Sequence, residues 1–277
     1  MAQTIKLIAF DLDGTLLDDR KGLPERNRRA LEAAGEAGIL LVPATGRIPA
    51  GMPESLRGLK GLRWGILSNG AELYDFEEER IAVREEIDLD TALTVLDYAE
   101  SLGLRYDCYQ DNWGYMTAPM LRETLSIVTD PGIRDLLLRL RRPVPELRAY
   151  LREKGESLQK LQLYFDDPAQ RERLLRELPE RFPALSVTSS LPFNIEINSA
   201  RANKGRALET LCGLLGLRRE ETVAFGDGSN DLMLLRSAGL GVAMANAFPE
   251  VRAAADRITG TNNDAGVAQV LEELLGL

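Results

Sequence analysis

The stretch FDLDGTLLDD (residues 10–19) joins an apolar run to a turn through two carboxylates. Asp11 and Asp13 are two positions apart, so on an extended backbone both side chains point to the same side. Carboxylates this close repel each other, and each favours its protonated form unless positive charge lies nearby. The glycine at position 14 lets the chain turn at once, and an acidic strand end with an Asp-Gly turn is the plainer interpretation. The stretch predicts a strand whose end requires a cation.

Other short apolar runs in the chain are also bounded by Gly, Pro, Asn or Asp. This pattern is typical of buried strands in a parallel sheet. The runs are KLIAF (6–10), ILLVPA (39–44), GILSN (65–69), TVAFGD (222–227) and LGVAM (240–244). Helical patterns starting at Pro24, Lys204, Asn230 and Asn246 lie between them. This alternation predicts an α/β class, with a doubly wound, mostly parallel, Rossmann-like core formed by residues 1–79 and 194–277.

The middle of the chain has a different pattern, with amphipathic helices and alternating strands such as LQKLQLYF (158–165). Asp167 followed by Pro168 predicts a helix start, and DNWG (111–114) predicts a hairpin turn. We therefore expect residues 80–193 to form an inserted α+β cap domain. Each of four residues in it suits a substrate contact, the domain interior or the domain surface equally well. They are Tyr109, Trp113, Tyr115 and Lys160.

Composition excludes several classes of function. The 277 residues carry a net charge of −9, which argues against nucleic acid or an anionic membrane as a partner. There is no histidine, so acid–base chemistry depends on Asp, Glu, Lys or Tyr, and the two cysteines are too few for a disulfide framework. No apolar run reaches the length of a membrane span, and the first residues lack the pattern of a signal peptide. We expect a cytoplasmic protein, either a monomer or a homodimer.

Polar residues end the second predicted strand in PATGR (43–47). Thr45 offers a hydroxyl, Gly46 a backbone N–H and Arg47 a cation, which together can hold an anion. Alone this signal is weak, because Thr-Gly turns are common. SNGA (68–71) ends the third run in the same polar way and is weaker still.

Two further motifs follow the insertion. NKGRAL places Lys204 in the first turn of a helix, where the helix dipole disfavours a cation, and a solvated surface lysine is the simpler interpretation. FGDGSND (225–231) supplies Asp227 and Asp231 between a strand and a helix. Because ligands of open α/β sheets bind at the carboxyl ends of the strands, all four motifs converge on one crevice. Carboxylates, a hydroxyl and a lysine at one place predict Mg²⁺ beside a phosphate.

The order DLDGTLL, ATGR, NKGRAL and GDGSND resembles the haloacid dehalogenase superfamily of phosphohydrolases. The later segments GVAMANAFPEVRAAADRIT and NNDAGVA resemble its Cof-type branch, and the insertion fits the C2-type cap of that branch by position. The resemblance covers the whole α/β portion. It implies a phosphatase that acts on small phosphorylated metabolites such as sugar phosphates.

The same resemblance implies roles for individual residues. Asp11 would be the nucleophile and form an aspartyl-phosphate, and Asp13 would act as general acid and base. Mg²⁺ would bind Asp11, the backbone carbonyl of Asp13 and Asp227, while Asp231 would bind the metal indirectly and also steady Lys204. The residues expected to hold phosphate or substrate are Leu12, Thr45, Gly46, Arg47, Lys204 and Asn230.

Three alternatives remain open from the sequence. A phosphosugar mutase uses the same intermediate but returns the phosphoryl group to its substrate. A receiver-type signalling module also surrounds Mg²⁺ with acidic residues, Thr and Lys, yet it is shorter and lacks an acid at the position of Asp13. A non-catalytic binding protein is the third, and no group that the chemistry needs is missing.

Overall fold

The computed structural model describes residues 5–276. Residues 1–4 and 277, which are predicted to belong to the core domain, lie outside the described residues. The chain divides into two compact units. The first runs from the first described residue to Arg47, then over Met52–Arg84, and resumes at Asn203. The second comprises Ile48–Gly51 and Glu85–Ala202.

The strands of the described residues are short, as expected for runs bounded by turn residues. They are β1 (Leu7–Phe10), β2 (Leu40–Pro43), β3 (Trp64–Leu67), β4 (Glu72–Asp75), β5 (Arg80–Arg84), β6 (Arg105–Gln110), β7 (Trp113–Thr117), β8 (Arg141–Val144), β9 (Lys160–Tyr164), β10 (Leu185–Thr188), β11 (Asn194–Ser199), β12 (Thr222–Gly226), β13 (Leu240–Ala243) and β14 (Arg257–Ile258).

The helices connect these strands. They are α1 (Glu25–Glu36), α2 (Leu89–Ser101), α3 (Ala118–Ile127), α4 (Pro131–Leu140), α5 (Leu147–Lys154), α6 (Pro168–Arg181), α7 (Lys204–Leu215), α8 (Leu232–Ser237), α9 (Pro249–Ala254) and α10 (Gly266–Leu275). In the part of the chain that the structure describes, no helix is both long and apolar enough to cross a membrane.

The first unit contains a five-stranded parallel sheet in the order β14-β13-β12-β1-β2. All four residues of β1 are buried, as expected for a central strand covered on both faces. Phe10 pairs with Phe225 of β12 on one side and with Pro43 of β2 on the other. This register places the carboxyl ends of β1, β2 and β12 next to one another, and the predicted α/β class is confirmed.

The third apolar run differs from the prediction. β3 pairs antiparallel with β4 in a separate three-stranded sheet, β3-β4-β5, instead of belonging to the parallel sheet. Only a single parallel bridge joins Ile66 to Ala44 after the end of β2. The reason is the turn Ser68–Gly70, which reverses the chain so that Leu67 pairs with Glu72.

The second unit is built on a six-stranded sheet in the order β10-β11-β9-β6-β7-β8. Its pairs are antiparallel except for β7 and β8. Side chains alternate between the two faces of this sheet along each strand. Cys108, Leu161 and Ile197 belong to an apolar core, whereas the adjacent residues Asp107 and Gln162 are polar and buried.

Two local predictions in this unit are confirmed. Asp111 and Asn112 form the hairpin turn between β6 and β7, both with positive φ (48° and 60°). Asp167 caps α6 by accepting a hydrogen bond from the N–H of Ala169. The predicted domain borders at 79/80 and 193/194 lie five and nine residues before the unit borders at 84/85 and 202/203, because β5 pairs with β4 and β11 pairs with β9.

Candidate active site

Asp11 and Asp13 follow the central strand of the parallel sheet. The N–H of Asp11 donates to the carbonyl of Phe225 at 3.0 Å, which continues the pairing of β1 with β12. Gly14 then turns with φ +87°, and a Cβ there would lie 2.4 Å from an Asp227 carboxylate oxygen. Only glycine fits this turn, which brings the hydroxyl of Thr15 to the Asp227 carboxylate at 2.6 Å.

Lys204 begins α7 and is completely buried. Its Nζ lies 2.6 Å from Oδ1 of Asp11 and 2.6 Å from Oδ1 of Asp231. The side chain of Asn203 accepts a hydrogen bond from the N–H of Arg206 and so fixes the helix start from which the lysine projects. The simpler interpretation, a solvated surface lysine, is wrong.

Asp231 links the lysine to the loop after β12. Its Oδ2 accepts hydrogen bonds from the N–H groups of Asp227 (3.0 Å) and Gly228 (2.9 Å). One carboxylate oxygen from each of Asp11, Asp227 and Asp231 lies within 4.8 Å of the other two. The loop thus positions two carboxylates beside the one supplied by β1.

The electrostatics of this cluster show an excess of negative charge. Burial raises the pKa of Asp11 well above its usual value, and the charges of Asp231 and Asp227 add to this against the opposing effect of Lys204. Burial, with the charge of Asp231, also raises the pKa of Asp227 to about 7. Burial alone would lower the pKa of Lys204, but the carboxylates of Asp11 and Asp231 raise it. One ammonium therefore faces three carboxylates.

These residues fit a divalent cation. Three carboxylates that a single lysine cannot neutralise are the oxygen-rich set preferred by a hard ion such as Mg²⁺. Asp11 and Asp227 could supply carboxylate ligands, while Asp231, whose oxygens contact Lys204 and two backbone N–H groups, could bind the metal indirectly. The positive charge would favour the ionised forms of these carboxylates. The predicted carboxylate ligands Asp11 and Asp227 lie in this cluster, whereas the Asp13 side chain points to other partners.

Asp13 is half-buried and contacts two cations. Arg47 donates from Nε and Nη2 at 2.8 and 2.7 Å, and Nζ of Lys21 lies 2.9 Å away. Burial would raise the pKa of Asp13, but the hydrogen bonds and charge of Arg47, together with Lys21, lower it to about 2. Asp11 and Asp13 thus occupy opposite electrostatic environments.

The remaining predicted residues lie near the same strand ends. Thr45 is buried, and its hydroxyl accepts a hydrogen bond from the N–H of Arg47. Asn230 donates from Nδ2 to Oδ1 of Asn69 at 3.1 Å. The side chain of Leu12 is part of the apolar core, so only its backbone could contact a ligand. Gly46 lies between Thr45 and Arg47 in the loop after β2.

Sequence reasoning missed Lys21 and Asn69 as neighbours of these groups. Lys21 returns to Asp13 through a turn in which its N–H donates to the carbonyl of Asp18, a local detail that motif spacing does not reveal. Asn69 lies within SNGA, whose polar strand end was the available signal.

Within the second unit, the four candidate cap residues do not form one group. The Tyr109 ring lies under both Lys160 and Arg141, each 4.6 Å from its centroid, and Lys160 pairs with Glu196 at 3.6 Å. Tyr115 stacks on Tyr150 instead, at a centroid distance of 4.7 Å. Trp113 lies under the guanidinium of Arg142 at 3.7 Å.

Comparison with known proteins identifies the family of this chain. A family model described as haloacid dehalogenase-like hydrolase matches residues 8–271. The chain is 32% identical over 295 residues to phosphatase YwpJ of Bacillus subtilis (strain 168), covering 98% of this chain and 100% of the relative. It is 31% identical over 268 residues to YcsE of the same organism, named as a 5-amino-6-(5-phospho-D-ribitylamino)uracil phosphatase, covering 96% and 94%.

A solved structure agrees as well. A haloacid dehalogenase-like hydrolase from B. subtilis superimposes with a TM-score of 0.84 at 30% identity, covering 98% of this chain and 100% of that one. The chain therefore belongs to the haloacid dehalogenase-like hydrolases, in their Cof-type branch, and is a phosphatase for small phosphorylated substrates.

Proposed function

We propose that this phosphatase is a Mg²⁺-dependent phosphomonoester hydrolase that works through an aspartyl-phosphate on Asp11. The observation that carries the proposal is the contrast between the two carboxylates of the first motif. Lys204 holds Asp11 at 2.6 Å, while Arg47 and Lys21 hold Asp13 at 2.7 and 2.9 Å. Two carboxylates with different partners can perform different chemical steps.

In the first half-reaction, Asp11 provides the attacking oxygen. A carboxylate oxygen forms a bond to phosphorus, and the bond from phosphorus to the leaving oxygen breaks. Asp13 donates a proton to that oxygen, so the product leaves as a neutral alcohol. Lys204 favours the ionised form of Asp11, against the effect of burial on its pKa, and orients the carboxylate for this attack.

In the second half-reaction, Asp13 reverses its role. Its carboxylate accepts a proton from a water molecule, which attacks the phosphorus of the aspartyl-phosphate and releases inorganic phosphate. Asp11 is regenerated and Asp13 is protonated again, so atoms and charge balance over the cycle. Assistance of this kind is typically worth about 10²–10⁴ in rate.

The chain's own donors would hold the phosphoryl group. We assign this role to the Thr45 hydroxyl, the N–H groups of Leu12 and Gly46, the Lys204 ammonium and the Asn230 amide. Donors placed where charge develops stabilise the transition state more than the ground state. When bound at Asp11, Asp227 and the Asp13 carbonyl, Mg²⁺ would supply positive charge that offsets the repulsion between carboxylates and phosphate.

We propose sugar phosphates, polyol phosphates and similar metabolites as substrates. The name of the relative YcsE, which specifies a phosphorylated ribityl group, supports this class. Cytoplasmic location and a monomeric or homodimeric state remain part of the proposal.

The test is phosphate release from a panel of sugar phosphates, polyol phosphates, FMN and pyridoxal phosphate, with Mg²⁺ and with EDTA. We expect Mg²⁺-dependent release by the native chain and none by Asp11→Asn. Asp19→Asn is the matched control, because Asp19 is exposed in the same stretch and contacts Asn262 and Asn263 instead of the cluster. Release by Asp11→Asn would contradict the mechanism. Transfer that depends on a bisphosphate would indicate a mutase, and stable phosphorylation without release would indicate a signalling protein.

A further inference from the structure

We propose that Asn69 is a positioning residue of the phosphate-binding site, acting through the amide of Asn230; this inference rests on the proposed function. Asn69 is buried in the turn Ser68–Gly70, directly after β3. The turn belongs to the same compact unit as the carboxylate cluster. Its backbone, its glycine and its asparagine side chain each contact a different part of the proposed site.

The backbone of the turn is unusual. Ser68, Asn69 and Gly70 have φ values of +50°, +62° and +95° in succession. Residues other than glycine rarely adopt positive φ, and asparagine tolerates it better than most. Such conformations persist only where the surrounding structure holds them, and they cluster at functional sites.

Two backbone hydrogen bonds join the turn to the loop after β2. The N–H of Ser68 donates to the carbonyl of Arg47 at 3.0 Å, and the N–H of Asn69 donates to the carbonyl of Thr45 at 3.0 Å. The two carbonyls flank Gly46, whose N–H we assign to the phosphate. The turn therefore fixes the conformation of the proposed anion-binding loop.

Gly70 joins the turn to the start of α7. A Cβ on Gly70 would lie 2.4 Å from the carbonyl carbon and oxygen of Asn203 and 2.8 Å from the backbone nitrogen of Lys204. A side chain at this position would push the two segments apart. The close approach therefore ties the turn to the residue that holds Asp11.

The side chain of Asn69 makes the third connection. Its Oδ1 accepts a hydrogen bond from Nδ2 of Asn230 at 3.1 Å, between residues 161 positions apart in sequence. An amide nitrogen carries two hydrogens, so Asn230 can donate one to Asn69 and the other to a phosphoryl oxygen. The side-chain amide of Asn230 can adopt two orientations. The acceptor of Asn69 favours the one in which the amide nitrogen of Asn230 faces Asn69. This orders a donor before the substrate arrives.

The decisive experiment compares Asn69→Gly in the native chain and in an Asn230→Ala background. Glycine keeps the positive φ and the backbone hydrogen bond to Thr45 while removing only the amide. We expect Asn69→Gly to lower kcat/KM about threefold to tenfold, the effect of one lost hydrogen bond, and to raise the inhibition constant of inorganic phosphate by a similar factor. In the Asn230→Ala background the same change should have no further effect, since the amide that it orients is already absent.

Asn112→Gly is the matched control. Asn112 also has positive φ (60°), and its Oδ1 accepts a hydrogen bond from Nε2 of Gln159 at 3.1 Å, in the second unit. We expect it to leave the inhibition constant of phosphate unchanged. Thermal melting of each variant shows that it is folded.

Three results would overturn the inference: no change in Asn69→Gly, an equal loss with and without Asn230, or an equal loss in Asn112→Gly. The proposed function fails separately, by the absence of Mg²⁺-dependent phosphate release from the native chain. The two failures are therefore distinguishable.

Discussion

The guanidinium of Arg47 donates two hydrogen bonds to the Asp13 carboxylate, at 2.8 Å from Nε and 2.7 Å from Nη2. This pairing outweighs burial and, with Lys21, lowers the pKa of Asp13 to about 2. The ionised carboxylate is ready to accept a proton from water. It must gain a proton before it can donate one, so Arg47 and Lys21 oppose its role as an acid.

Removing the charge of Arg47 should therefore change the pH dependence of the enzyme. In Arg47→Met the pKa of Asp13 rises toward its ordinary value, so the acid form persists to higher pH. We expect the alkaline limb of the pH profile of kcat/KM to move to higher pH. Lys21→Met is the control, with a smaller shift in the same direction because Lys21 is the more exposed cation. An alkaline limb that stays in place in both variants would contradict this assignment.

Metal removal should make stability depend on pH. The raised pKa values of Asp11 and Asp227 mean that the native chain binds protons that the unfolded chain has already released. In EDTA, the free energy of unfolding should therefore fall as the pH rises from about 4 to about 7 through these groups. Mg²⁺ should raise the melting temperature most at the upper end of this range, because it binds the ionised carboxylates.

Asp227→Asn tests this assignment by calorimetry. The variant should show a weaker dependence of melting temperature on pH and a smaller response to Mg²⁺. If Mg²⁺ leaves the melting temperature of the native chain unchanged at every pH, the cluster is not a metal site.

Lys204 should be essential for stability as well as for activity. Lys204→Met leaves Asp11 and Asp231 buried without their shared cation, which we expect to cost about 3–5 kcal/mol in the free energy of unfolding. Adding Asp231→Asn should restore part of this loss, because one of the two charges is then removed. Urea denaturation measures both effects, and a double variant as unstable as the single one would argue against charge as the cause.

The second unit contains a buried ion pair that allows an equivalent test. Arg141 and Asp107 are both buried, with Nε 2.6 Å from Oδ2, and the hydroxyl of Tyr164 also donates to that oxygen. Arg141→Met should lower the free energy of unfolding by about 3–5 kcal/mol, because Asp107 loses its counter-ion. The neighbouring Arg142→Met should cost about 1 kcal/mol or less, since Arg142 is exposed and its guanidinium lies over the face of Trp113. Equal losses measured by urea denaturation would refute the importance of the buried pair.

Much of the architecture could be predicted from local sequence. The run ending at Phe10 is apolar throughout and forms the central parallel strand, and the turn at Asp111 and Asn112 and the cap at Asp167 depend on neighbouring residues alone. The apolar run at β3 was the exception. It has the composition of a parallel strand, but the turn that follows it selects an antiparallel partner.

Local sequence predicts that the motifs after β1, β2 and β12 meet, because parallel strands of one sheet bring their carboxyl ends to one edge. Lys204 does not follow such a strand, since it begins α7 after the inserted segment. The pairing of these residues depends on the folded chain. Lys204 reaches Asp11 across 193 positions, Asn230 reaches Asn69 across 161, and Arg47 binds Asp13 across 34. Backbone periodicity fixes where a side chain starts, whereas the side chain selects its partner by the charges and space that the folded chain places around it.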